Sequence, residues 1–80
     1  MAETEREREV SFVLKEHFGV LSSNGKGWTR ELNLVSWNGK PEKYDIRDWC
    51  EEHTRMRRGI TLSLEETAAL GRLLNDLHLQ

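Results

Sequence analysis

Lys43-Tyr44-Asp45-Ile46-Arg47-Asp48-Trp49, followed after a short break by Met56-Arg57-Arg58-Gly59-Ile60-Thr61-Leu62, decides how this 80-residue chain is read. Side chains of a strand point alternately to opposite faces, so the first segment sends Tyr44 and Ile46 one way and Lys43, Asp45, Arg47 and Trp49 the other. In the second segment Met56, Ile60 and Leu62 read as inward and Arg57 as outward, while Arg58 breaks the alternation, from the edge or through a bulge near Gly59. The outward set combines cations with an indole. Single-stranded nucleic acid exposes phosphates and ring faces together, and such a surface suits both.

Upstream, Val10 to Leu21 repeats with period two through Val10, Phe12, Leu14, Phe18 and Val20, which predicts a strand with Phe12 and Phe18 in the core. Ser22-Ser23-Asn24-Gly25-Lys26-Gly27 then supplies a hairpin turn. Trp28 to Trp37 forms the second strand, with Trp28, Arg30, Leu32 and Leu34 on one side and Glu31, Asn33, Val35 and Trp37 on the other. Asn38-Gly39-Lys40-Pro41 turns the chain into the third strand, Glu42 to Trp49, and Cys50 to Arg55 reads as a loop before the fourth. Ser63-Leu64-Glu65-Glu66 is a capping box, and Leu70, Leu73, Leu74 and Leu77 continue it as an apolar helical stripe. Gly71 costs that helix about 1 kcal/mol relative to alanine, either tolerated or used for close helix approach across a dimer axis. The predicted class is therefore α+β: a four-stranded antiparallel sheet followed by one C-terminal helix, in a domain over residues 10–80 behind a charged tail at 1–9.

The formal net charge of −2 averages unlike segments: residues 1–9 and 63–80 each carry −2, and residues 10–62 carry +2. This central bias is too small to establish a polyanion footprint without sorting between faces. A chain this short buries only about 60% of its unfolded surface, so a homodimer is expected. The single cysteine, Cys50, cannot form an internal disulfide, and no apolar run approaches the roughly 20 residues of a membrane span. A soluble protein of the reducing cytoplasm is expected.

Tyr44-Asp45-Ile46-Arg47-Asp48-Trp49, then Met56, then Arg57-Arg58-Gly59-Ile60-Thr61-Leu62-Ser63 with Glu66 and Leu70, resemble the C-terminal domain of the transcriptional coactivator positive cofactor four. Leu32-Asn33-Leu34-Val35-Ser36-Trp37-Asn38-Gly39 looks like the short bacterial branch of that family, and the resemblance runs in element order from about Phe12 to Leu77. It implies a curved sheet dimerised through helices and strand ends, non-catalytic binding of single-stranded DNA, and, in eukaryotic members, contacts with activators and transcription machinery. The family's basic and aromatic strand falls on Lys43, Arg47 and Trp49, and its later basic pair on Arg57 and Arg58. Trp49 is followed by Cys50 where eukaryotic members have two adjacent aromatics, and their long Ser- and Lys-rich N-terminal region is absent here.

The candidate nucleic-acid contacts are Lys15, Lys26, Asn33, Trp37, Lys43, Arg47, Trp49, Arg57 and Arg58, with Trp49 first and Trp37 second as stacking partners. Trp28, on the parity of Leu32 and Leu34, reads instead as core or dimer contact. Asp45 and Asp48 read as groups that orient Arg47 or a neighbouring cation, or as plain turn and edge residues. Neither ring nor cation requires one sugar, so the strand is DNA or RNA. No catalytic residue, cofactor or metal is assigned: Cys50 and His53 supply two zinc ligands without two more, and Asn24-Gly25-Lys26-Gly27 lacks the Walker spacing. The competing reading is a protein-interaction module that contacts transcription or repair machinery through its apolar helix or a sheet edge.

Overall fold

The computed structural model describes residues 10–79. The charged tail predicted at 1–9 lies outside the described residues. Four strands, β1 (Phe12–Ser23), β2 (Trp28–Trp37), β3 (Lys43–Cys50) and β4 (Ile60–Leu62), form one antiparallel sheet in sequential order. One helix, α1 (Leu64–Leu77), follows.

Each turn has a local cause. Asn24 Oδ1 accepts the Lys26 and Trp28 amides, closing the β1–β2 connection. At the β2–β3 connection Asn38 and Gly39 both have positive φ, 53° and 74°, and the Lys40 amide donates to the Trp37 carbonyl at 2.9 Å. Two left-handed residues inside an i to i+3 bond match the right-handed twist of the flanking strands. Ser63 caps α1 as expected: its hydroxyl accepts from the Glu66 amide, and the Glu66 carboxylate accepts from the Ser63 amide.

Strands β2 and β3 pair without a break from Trp28 opposite Cys50 to Val35 opposite Lys43, so the predicted parity holds along both. In β1 it does not, because the register slips between Leu14 and Glu16, His17 and Gly19, and Val20 and Ser22. Each slip inserts one unpaired residue and reverses the faces beyond it. Phe12 consequently packs against Trp37 and Trp49, whereas Phe18 stacks on Tyr44 from the other side and is 44% exposed. The expectation that the two phenylalanines share an inward face is thus corrected.

The fourth strand is also shorter than predicted. Met56 pairs in isolation with Trp49, the Arg57 amide donates to the Asp48 carbonyl, and regular pairing resumes only at Ile60 opposite Ile46. Between those pairs the 56–60 side holds one more residue than β3, a bulge that puts Met56 on the Trp49 face while Ile60 and Leu62 lie on the Ile46 face. The grouping of Met56 with Ile60 and Leu62 is corrected for that reason. Gly59 occupies this close crossing: a Cβ built there would run into the Arg47 Cβ and the Ile46 carbonyl oxygen.

Apart from Cys50, the sheet has its buried residues on the face expected to be wet. Glu31, Asn33, Val35, Asp45 and Trp49 are buried, whereas Leu32, Leu34, Tyr44 and Ile46 on the other face are half-buried and Ile60 is 53% exposed. The helix buries no residue fully, and Leu73, Leu74 and Leu77 stand open.

Candidate nucleic-acid interface

Lys43, Arg47 and Trp49 descend one side of β3, and Asn33, Val35 and Trp37 share that side of β2. The alternation sets this shared face, but the neighbours decide what each side chain has free. Arg47 is the best-ordered member. Its Nε and Nη2 donate to the two oxygens of Asp45 at 2.6 and 2.8 Å, and its guanidinium lies 4.6 Å from the centre of the Trp37 ring. Asp45 is fully buried and also accepts from Thr61 Oγ1 at 2.8 Å. A bidentate, fully desolvated carboxylate fixes the guanidinium plane, and the ring beneath it adds about 1 to 2 kcal/mol. Between the two orienting roles read for Asp45 and Asp48, Asp45 takes Arg47, while Asp48 pairs with Arg30 at 2.8 Å on the opposite face.

Around this pair Val10, Trp37, Asn38, Arg47, Met56 and Thr61 line an open groove of about 250 Å³. An aromatic ring, a thioether, a hydroxyl and an oriented cation meet there. Lys43 is exposed on the same face, two residue pairs beyond Asp45.

Trp49 departs from its expected role. The ring is fully buried, with Phe12 at 5.2 Å and His53 at 5.6 Å between ring centres, so it cannot present a face to a base in this conformation. His53 reaches it because the residue adopts a left-handed φ of 60° in the Cys50–Arg55 loop, where its amide donates to the Cys50 carbonyl. Trp37, half-buried beside the groove, is the stacking candidate the geometry leaves. Asn33 is likewise covered: its Nδ2 donates to Glu31 and its Oδ1 accepts from His17 Nδ1 at 2.7 Å, so its amide is already engaged.

Glu31 anchors that network. Thr29 Oγ1, Asn33 Nδ2 and His53 Nε2 all donate to its carboxylate. Burial pushes its pKa up, but the hydrogen bonds from Thr29, Asn33 and His53, with the nearby His53 charge, outweigh burial and leave it below the usual glutamate range. None of these residues was singled out from sequence as a network. The available signal was Glu31 on the parity of Asn33 and Val35, a carboxylate that must find donors if buried.

The remaining candidates are dispersed. Lys15 is the extra residue of the first β1 bulge and Lys26 sits in the β1–β2 turn, both exposed. Arg58 is exposed in the 56–60 bulge. Arg57 projects to the opposite face, where its guanidinium lies 4.1 Å from the Trp28 ring centre, and this corrects its assignment to the Lys43 side. Arg55 approaches the same ring at 5.6 Å, a contact the sequence reading missed. Cys50 ends β3 as a buried residue and not as the loop-edge residue expected. Hydrogen bonding to Thr54 brings its thiol down to about 7, aided by the Arg55 amide and opposed by burial. Among the described residues no group of three or more His, Cys, Asp or Glu side chains is placed to hold a metal ion, and no helix is long and apolar enough to cross a membrane.

A protein of Treponema pallidum (strain Nichols), described as uncharacterized, is 46% identical over 71 residues, spanning 89% of this chain and 84% of the relative. The family profile described as Transcriptional Coactivator p15 (PC4) matches residues 24–73, from the first hairpin turn into the helix. The chain therefore belongs to the PC4 transcriptional-coactivator family, known for non-catalytic binding of single-stranded DNA and for transcriptional coactivation.

Proposed function

We propose that this protein binds single-stranded DNA, with low sequence preference, along the face that carries Trp37, Arg47 and Lys43. The observation that supports this most directly is the Asp45-oriented Arg47 guanidinium lying on the Trp37 ring at the edge of an open groove. Phosphates meet Arg47 and Lys43, with Lys15, Lys26 and Arg58 as outlying cations, and a base stacks at Trp37. Trp49 and Asn33 support that surface from beneath. Ring and cations act without a sugar-specific contact, so RNA is a second ligand of the same surface.

The working unit is a cytoplasmic homodimer. Leu73, Leu74 and Leu77 on α1 are 63, 47 and 61% exposed, and the half-buried Leu32, Leu34, Tyr44 and Ile46 form a second uncovered apolar set. A second copy supplies cover for both. The exposed helix also favours the alternative reading, capture of a transcription or repair protein. A free, buried Cys50 suits a reducing compartment.

Titration of tryptophan fluorescence with oligothymidine at two salt concentrations tests the reading, with matched duplex and RNA strands as comparators. Saturable quenching that weakens with salt, by a log–log slope of roughly 0.7 per phosphate contact, is the expected result. Absence of saturable single-strand binding at low salt rejects it. Partner capture that survives nuclease and Trp37→Ala favours the protein-interaction reading.

A further inference from the structure

The opposite face of the sheet carries a cationic cluster of its own. Trp28 begins β2 opposite Cys50, and Arg57 and Arg55 approach its ring at 4.1 and 5.6 Å. Arg30, next along the strand on the same face, pairs with Asp48 at 2.8 Å while its side chain stays 57% exposed. The Arg30 hydrogen bond, and then the charges of Arg30 and Arg57, hold the Asp48 carboxyl below its usual range against the opposing effect of burial. An indole beneath Arg57 holds that guanidinium flat and leaves its outer N–H groups for an incoming acceptor.

The two faces meet at the sheet edge formed by residues 56–58. Met56 is bridged to Trp49 on the Trp37 side, Arg57 crosses to Trp28, and the Arg57 carbonyl lies 3.5 Å from Arg47 Nη1. The short bulged edge therefore joins the groove at Trp37 and Arg47 to the cluster over Trp28. From that edge to β2 is two strand spacings, about 10 Å.

We infer that Arg57 and Arg55, set against the Trp28 ring, and Arg30, next along β2 on the same face, form a second phosphate track that carries a single strand around the 56–58 edge onto the opposite sheet face. Trp28 is a positioning residue: it holds the guanidiniums and does not stack on a base. Charge selects the occupant, because among the described residues Arg55 and Arg57 have no paired carboxylate, and a phosphodiester chain supplies acceptors at regular intervals along its length. This inference rests on the proposed single-strand binding and extends it from one face to two.

The experiment compares oligothymidines of about 6 and about 20 nucleotides, bracketing the usual site sizes of single-strand binders. In Arg55→Gln and Arg57→Gln combined, affinity for the longer strand is expected to fall about tenfold and its salt slope by roughly 1.4, two contacts at 0.7 each. For Arg55→Gln alone the short strand changes less than twofold. Trp28→Ala lowers the long-strand slope, and Trp28→Phe, which keeps a ring under Arg57, restores it; circular dichroism melts verify that each variant is folded. Unchanged long-strand affinity and slope in the arginine variants overturn the track while leaving single-strand binding intact. A wild-type protein that binds neither strand overturns the underlying reading as well.

Discussion

At the scale of single residues, the Asp45–Arg47 pair explains both the stability and the function assigned to the Trp37 face. Asp45 is fully buried and the Arg47 side chain is 15% exposed, so removing one partner strands an ion in a poorly solvated site. Arg47→Ala is expected to lower unfolding stability by about 3 kcal/mol in urea titration, whereas Asp45→Ala with Arg47→Ala recovers much of that loss without restoring DNA binding. Trp37→Ala is expected to weaken oligothymidine binding about 5- to 100-fold, the effect of losing one stacked base. Glu31 predicts a pH dependence. Its folded pKa lies below the unfolded value of about 4.3, so its stabilising contribution is complete above that value and is lost as pH falls through the folded one. Thermal melts should therefore lose stability below about pH 4, and Glu31→Gln should flatten that part of the profile.

Elements show which parts of this molecule sequence could disclose. The parity of β2 and β3 was legible because neither strand is interrupted, and the capping box located the start of α1. The three bulges in β1 were not legible as positions, since a period-two pattern carries no mark where a single residue is inserted, whereas the one at 56–60 was offered near Gly59 by the broken alternation at Arg58 but without its consequence for Met56 and Arg57. That is why Phe18, Met56 and Arg57 changed faces. Trp49 illustrates a different limit: alternation placed it correctly on the Arg47 face but could not foresee that Phe12 and a left-handed His53 would cover it. Gly59 is the element-scale test. Gly59→Ala drives a methyl into the Arg47 Cβ and the Ile46 carbonyl, so β4 must shift outward. A loss of about 1 to 3 kcal/mol is expected from denaturant unfolding, with weaker DNA binding because Arg47 moves.

For the whole molecule, the uncovered apolar surface is what supports the homodimer proposed above. An 80-residue chain that leaves Leu73, Leu74 and Leu77 open on its helix, and a half-covered apolar sheet face, has more to gain from association than from any rearrangement within itself. Gly71 fits this account, because a Cβ added there meets nothing within 4 Å in the single chain. In an isolated chain Gly71→Ala therefore strengthens the helix by about 1 kcal/mol. If Gly71 lies where helices approach closely across a dimer axis, the same change weakens dimerisation. Sedimentation of the wild type, Gly71→Ala and Leu74→Asp separates these cases: a dimer is expected for the wild type, with dissociation at lower dilution for Leu74→Asp.

The placement of single-stranded DNA on the Trp37 face is tested most directly by mapping backbone amide shifts as oligothymidine is added to labelled protein. The largest changes are predicted at Trp37, Asn38, Lys43, Arg47, Met56 and Thr61, with smaller ones continuing through Arg57 to Trp28. Changes gathered on Leu73, Leu74 and Leu77 of the helix, with Trp37, Lys43 and Arg47 unmoved at saturation, would contradict it.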